Sequence, residues 1–189
     1  PMHSWRVLLL PYMQYRSLYD QYNFQEPWNG PNNSRLMASK AIREYQCPSD
    51  TRTGRGPGVW TSYVAVVGPR TVWPGASMRK MSEIADGTGG TILVMEDQST
   101  KIPWMEPRDL MLDEALRVLT SSDPRVGGVH RQESFFYDYA GGRNVAMVDG
   151  RVAFFSDGLQ RNFAAKLLTI DDGVGVSAQN LELQPFAGK

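Results

Sequence analysis

Apolar positions fall into two regimes, a helical period near the start of the chain and alternating or continuous apolar runs later. Trp5, Leu8, Leu9 and Tyr12 recur at i, i+3, i+4 and i+7, the spacing of one buried helical stripe. Pro11 has no amide hydrogen and its ring clashes with the preceding turn, so this helix is expected to kink or end near Leu10. Leu18, Tyr19 and Tyr22 suit a second short turn. Residues 23–33 hold two Pro, one Gly and four Asn in eleven positions, which forbids regular structure and supplies helix caps. Asn33 or Ser34 is expected to cap a helix that carries Met37, Ala41, Ile42 and Tyr45 on one face and closes at Cys47-Pro48.

Beyond residue 58 the β-type signal takes over. Residues 59–67 and 91–95 are rich in β-branched and apolar side chains, nearly without interruption, and read as central strands. Residues 81–85 suit a single helical turn ending at Asp86-Gly87. Pro107 and Asp109 are expected to start a helix with an apolar stripe of Leu112, Ala115, Leu116 and Leu119, its acidic Asp109, Asp113 and Glu114 near the positive N-terminal end. Asp149-Gly150 between 144–148 and 151–155 predicts a hairpin with both turn residues at positive φ. Ser156 or Asp157 is expected to cap a last helix through Leu159, Phe163 and Leu167, with loop from Asp171 onward. Helices first, then strands mixed with short helices, imply an α+β fold with a mainly antiparallel sheet, expected as one domain over residues 1–189.

Charge and composition narrow the function classes. Twenty basic residues balance twenty acidic ones, so the counterion release that drives nucleic-acid binding has no global source. The apolar runs at 7–10 and 63–67 are far shorter than the ~20 residues a membrane helix needs. The chain starts at Pro1, which suggests a processed or excised piece with any targeting segment upstream. Cys47 has no possible partner within the chain, and His3 and His130 are the only imidazoles. Without a G-x-S-x-G elbow or an evident electropositive setting for Cys47, no nucleophilic enzyme is indicated.

Two other chemistries have candidate residues. Loop carboxylates at Asp86, Glu96, Asp97, Asp149 and Asp157 could gather around calcium, with Asp86, Asp149 and Asp157 the leading ligands, although no EF-hand spacing is present. Local turn bonding is the plainer role for an Asp-Gly carboxylate. Trp104 lies near Glu96, Glu106 and Asp109, which would suit a carbohydrate-binding module or glycoside hydrolase if Trp104 and Glu106 faced solvent. The plainer reading is that Trp28, Trp60, Trp73 and Trp104 fill the core. The segment 86–91 lacks the Lys of a phosphate loop and leads into a strand, so it reads as a turn.

Seven blocks in order, SWRVLLLPYM (4–13), LYDQYNFQEPWNGPNN (18–33), YQCPSD (45–50), TSYVAVVGP (61–69), ADGTGGTILVMED (85–97), PWMEPRDL (103–110) and GGRNVAMVDGRVAFFSDG (141–158), carry a resemblance. Together they resemble the bacterial prepilin-like proteins, related to type IV pilins and type II secretion pseudopilins, that bear a C-terminal His-x9-Asp-Gly signature. The resemblance implies a pilin-like globular head whose hydrophobic membrane helix would lie upstream of Pro1. It further implies export, inner-membrane anchoring before assembly, and a final place in the cell envelope or outside the cell. Partners would be like subunits or other pilin-like proteins, with polysaccharide or secreted cargo as further possibilities, met by loops 23–33, 51–58 and 121–137. No cofactor is implied, and Cys47 would be half of a disulfide with an upstream cysteine. The signature falls on Gly141, Gly142, Asn144, Asp149 and Gly150, with Tyr139 where the family has His and Gly89-Gly90 where it has Ser-Asn. A neutral phenol does not replace imidazole as ligand or base near pH 7, so the signature reads as a turn-and-core device.

Overall fold

The computed structural model describes residues 3–50, 59–123 and 141–172, and between the last two residues 126, 130, 133–134 and 137–138. Tyr139, loop 51–58 and much of 121–137 lie outside the described residues. The chain divides into two compact units, Pro1–Ser62 with Thr100–Arg108, and Tyr63–Ser99 with Asp109–Lys189. The expected α+β class holds: short helices accompany mainly antiparallel strands. No helix among the described residues is long and apolar enough to cross a membrane.

In the first unit, α1 (Trp5–Leu9) is capped by Ser4, whose Oγ accepts from the Arg6 amide. After Leu9 the chain tightens into a 3-10 turn over Leu10–Met13, as Pro11 requires. The buried face is Arg6, Val7 and Leu10, whereas Leu8, Leu9 and Tyr12 are exposed. The expected stripe is therefore wrong, because a five-residue helix followed by three residues per turn breaks the 3.6-residue phase between Trp5 and Tyr12. Helix α2 (Arg16–Gln21) buries Leu18, and Tyr22 follows it into the core.

Helix α3 (Pro31–Ser39) starts with Gly30 as cap and Pro31 in its first turn, earlier than expected, and ends before Ile42 and Tyr45. Asn33 does not cap it. Its buried side chain instead ties the preceding loop, accepting from the Asn23 amide at 2.9 Å and donating to the Asn23 and Pro27 carbonyls at 2.9 and 3.1 Å. Strand β1 (Trp60–Thr61) pairs antiparallel with Ile102–Pro103. Val7, Leu10, Leu18, Tyr22, Ile42, Tyr45, Trp104 and Met105 form this unit's core.

In the second unit the apolar run expected as one strand splits into β2 (Tyr63–Val64) and β3 (Val66–Val67), which join different sheets. β2 pairs antiparallel with β4 (Ile92–Glu96), while β3 pairs in parallel with Leu110–Met111. Numbering Ile102–Pro103 as β5 and Leu110–Met111 as β6, helix α4 (Leu112–Thr120) begins later than expected. Asp109 is engaged elsewhere: its Oδ1 accepts the Ala65 amide at 2.8 Å. Ala115, Leu116, Val118 and Leu119 are the buried face of α4.

A short antiparallel pair, β7 (Glu133–Ser134) and β8 (Tyr137–Asp138), precedes β9 (Gly142–Met147) and β10 (Val152–Ser156). The expected hairpin is present, and the four-stranded order is β10-β9-β4-β2. Its turn differs in kind. Gly150 donates to the Met147 carbonyl and Met147 to the Arg151 carbonyl, and of the two turn residues only Gly150, at φ +88°, is left-handed. This is a type I turn closed by a glycine bulge rather than a two-residue turn. Register shifts between Ile92 and Val94 where β4 meets β9, and the carbonyl of Leu93 in that irregularity accepts from the Trp73 indole at 2.8 Å.

Helix α5 (Arg161–Leu168) starts after Gln160 and not at Ser156 or Asp157. It packs against α4 and brings Phe163 edge-on to Phe155, with ring centroids 6.2 Å apart.

Candidate functional site

Strand pleating sends alternate residues of β9 to opposite faces. Arg143, Val145 and Met147 are buried on the face that also carries Phe155 across the ladder, while Asn144 is half-buried on the other face, opposite Phe154. Each face carries one polar arrangement.

On the buried face, Arg143 Nη2 donates to Asp157 Oδ1 at 2.7 Å, with the Arg143 side chain fully enclosed and that of Asp157 nearly so. Asp157 is held in place by its own amide, which donates to the Gly141 carbonyl at 2.7 Å. Gly142 fits because it has no side chain: a Cβ there would lie 2.5 Å from the Phe155 carbonyl oxygen and would strike the Phe154 ring. Gly141, Gly142, Arg143 and Asp157 thus work together to join the two strands of the hairpin.

On the opposite face lies the most concentrated chemistry among the described residues. The Glu96 side chain, at the end of β4, is 1% exposed. Its Oε2 accepts from the Asn144 amide at 2.6 Å and from Asn144 Nδ2 at 3.2 Å. His130 Nε2 stands 2.9 Å from the same oxygen and 3.2 Å from Oε1. The Phe154 ring meets the imidazole edge-on, with centroids 6.1 Å apart. A carboxylate removed from water costs several kcal/mol unless its lone pairs are used, and these donors supply that compensation.

The expected site residues are otherwise dispersed. Asp149 Oδ1 accepts the Arg151 amide at 3.0 Å and Oδ2 accepts Arg151 Nε at 2.7 Å, while Arg151 Nη2 reaches the Gly89 carbonyl at 2.9 Å. Gly89 belongs there, since a Cβ would lie 2.6 Å from Arg151 Nη2. Asp86 Oδ2 accepts the Asp172 amide at 2.9 Å. Asp86, Asp149 and Asp157 therefore serve separate local bonds, and among the described residues they do not form a shared ligand set.

Trp104 is fully buried, its ring 6.2 Å from that of Tyr45. It has no open face on which a sugar could stack, so the expected platform is corrected to a core residue. Glu106 is half-buried and paired with Arg108 Nε at 3.2 Å. Of the four tryptophans expected in the core, Trp104 alone is fully enclosed, and Trp60 is exposed.

Hydrogen bonds from the Arg151 amide and side chain hold the Asp149 carboxyl below the usual carboxylate range. Because this depressed value favours the ionised form, the turn's contribution is complete above the ordinary carboxylate pKa and is lost as pH falls through the lower folded-state value. NMR titration of the Asp149 carboxyl should place its midpoint below that of an exposed Asp. A midpoint at the ordinary value would contradict this assignment.

Residues 1–162 match the model of a family described as protein of unknown function (DUF1559). The chain belongs to that family. No curated protein and no solved structure matches it. The DUF1559 match takes in all seven blocks, the closing hairpin included, so Glu96, His130, Asn144 and the Arg143–Asp157 pair all fall within it. The Glu96–His130–Asn144 grouping was not visible in the sequence as a unit, because its members are 34 and 48 residues from Glu96 along the chain.

Proposed function

We propose that this DUF1559 chain is the globular head of a pilin-like, pseudopilin-related subunit of a bacterial cell-envelope or secretion filament, working by assembly and surface contact without bond-making chemistry. The observation that carries this reading is the closing hairpin, which holds most of the signature residues. Its Gly142 is needed for close strand packing, its Arg143 and Asp157 for an internal ion pair, and its Asp149 and Gly150 for the turn. Described signature residues that are committed to the fold support a scaffold more than a catalyst.

In this reading the protein is exported, anchored in the inner membrane before assembly by a helix encoded upstream of Pro1, and surrounded by like subunits. The edge strand β10 supports the assembly role, since it exposes Val152 and Phe154 at the margin of the four-stranded sheet. The carbohydrate reading loses its support with the burial of Trp104.

Membrane fractionation and in-cell crosslinking of the full-length gene product test the proposal. The expected result is an inner-membrane protein that crosslinks to itself or to other pilin-like subunits, and a freely soluble monomer would overturn it. Val152→Glu should reduce crosslinking while shifting folding stability by no more than about 0.5 kcal/mol, because the side chain is 71% exposed. Unchanged crosslinking in that variant would remove β10 from the interface.

A further inference from the structure

We propose that the edge strand β10 pairs antiparallel with the β10 of a second copy of this chain, about a two-fold axis at Phe154. The bonding pattern of the hairpin fixes which backbone groups are free to do so. Met147 donates to the Arg151 carbonyl and Asp157 donates to the Gly141 carbonyl. Bonded and non-bonded pairs alternate along an antiparallel ladder, so residues 151, 153, 155 and 157 direct their amides and carbonyls toward β9. Those of Val152, Phe154 and Ser156 point the other way, where no described strand lies.

Sheet edges in soluble proteins are shortened, charged, bulged or interrupted by proline, because an open row of amides and carbonyls invites another strand. The opposite edge, β2, is only two residues long. β10 uses none of these devices. Its five residues, Val152-Ala153-Phe154-Phe155-Ser156, include no charge and no proline, and they pair with β9 without a bulge. Val152 and Phe154 are exposed along it.

The strand complements itself, which favours a second copy as its occupant. With the axis at Phe154, Val152 lies opposite Ser156 of the second copy and Phe154 lies opposite its own counterpart. Every outward residue then meets an outward residue, and about six backbone hydrogen bonds form, two at each bonded pair. The two Phe154 rings make an aromatic cross-strand pair. The next positions set Arg151 opposite Asp157 of the second copy, so unlike charges face each other at both ends. A parallel pair in register would oppose like charges. The joined sheet has the order β2-β4-β9-β10-β10-β9-β4-β2.

A two-fold contact closes on itself, so it makes dimers and leaves filament growth to other surfaces. One strand pair is also at the small end of interface sizes, and its occupancy depends on the local concentration of neighbouring copies. In this respect the inference rests on the proposed reading of the chain as an envelope subunit surrounded by its like.

Cysteine crosslinking of the full-length gene product in its own cells tests the register, with the wild-type protein as control. Phe154→Cys should give a disulfide-linked dimer on mild oxidation, since Cα atoms of a bonded antiparallel pair stand about 5.5 Å apart, within disulfide reach. Val152→Cys alone should give at least about tenfold less dimer, because the two copies of residue 152 are then roughly 14 Å apart, four residues along the strand. Val152→Cys coexpressed with Ser156→Cys should restore it. This mixed pair keeps Phe154 in place, so it reads the register even where loss of the ring disturbs the fold. Equal dimer from Val152→Cys and Phe154→Cys would overturn the register. Absence of dimer from both Phe154→Cys and the mixed pair, while amine-reactive reagents still link the membrane-bound protein to like subunits, would overturn the pairing and leave the proposed function standing. A Phe154→Cys adduct with a different polypeptide in place of the dimer would also overturn it. A Phe154→Cys dimer in a freely soluble protein would support the pairing and remove the envelope reading, whereas a soluble monomer without dimer would overturn both.

Discussion

Asp157→Ala is expected to lower folding stability by about 3–5 kcal/mol, the usual result of removing one partner from a buried ion pair. The Arg143 guanidinium has no exposed surface, and Asp157 is its only acceptor among the described residues. Its Nε and Nη1 are already without partners there. Deleting the carboxylate would therefore leave a buried cation with no described group to offset its lost hydration. The double variant Arg143→Met with Asp157→Leu removes both charges and should recover most of the loss, because apolar replacement of a buried pair is often neutral or stabilising. Urea unfolding of the three proteins measures both effects. A single-variant loss below about 1 kcal/mol would mean that water reaches Arg143 after the substitution.

Gly142→Ala should cost about 3 kcal/mol, at the upper end of overpacking effects. The added methyl group would meet two neighbours that differ in their freedom to move. The Phe154 ring is half-exposed and can turn away, but the Phe155 carbonyl oxygen, 2.5 Å from the new Cβ, belongs to the strand that pairs with β9. Relief would require the β9–β10 ladder to open where Ser156 faces Gly142. Combining Gly142→Ala with Phe154→Ala distinguishes the two contacts. Failure of that second substitution to restore stability is expected, whereas full restoration would identify the ring as the obstacle.

These two variants probe the same hairpin, and the hairpin was the most legible element of the chain. Asp149-Gly150 marked its turn, and alternation in 144–148 and 151–155 marked its strands. The turn subtype was not legible, because Asp149 accommodates either a two-residue or a three-residue connection and the choice depends on how Met147 and Arg151 pair. The buried face of α4 was also read correctly in Ala115, Leu116 and Leu119. Its starting point was misplaced because Leu110 and Met111 are drawn into pairing with Val66 and Val67, a demand made by residues more than forty positions away along the chain.

The Glu96–His130–Asn144 grouping shows the same division. In the sequence Glu96 reads as a loop carboxylate, Asn144 as part of the signature and His130 as one of two imidazoles. No spacing rule joins them. Their meeting follows from the pairing of β4 with β9 and from the position of His130 against Phe154.

Sequence alone determined what neighbours along a chain can decide: the α+β class, the helical turns near Pro11 and Asp86, the hairpin, and the absence of an apolar segment long enough to be a membrane helix. These depend on local backbone preference and on apolar period, which act over a few residues. Tertiary structure decided which face of α1 is buried, how 59–67 is divided among sheets, and that Trp104 is enclosed. It also brought Glu96, His130 and Asn144 within about 3 Å of one another. Those outcomes depend on which distant strands pair and which apolar surfaces leave water together, and chain order does not encode either one locally.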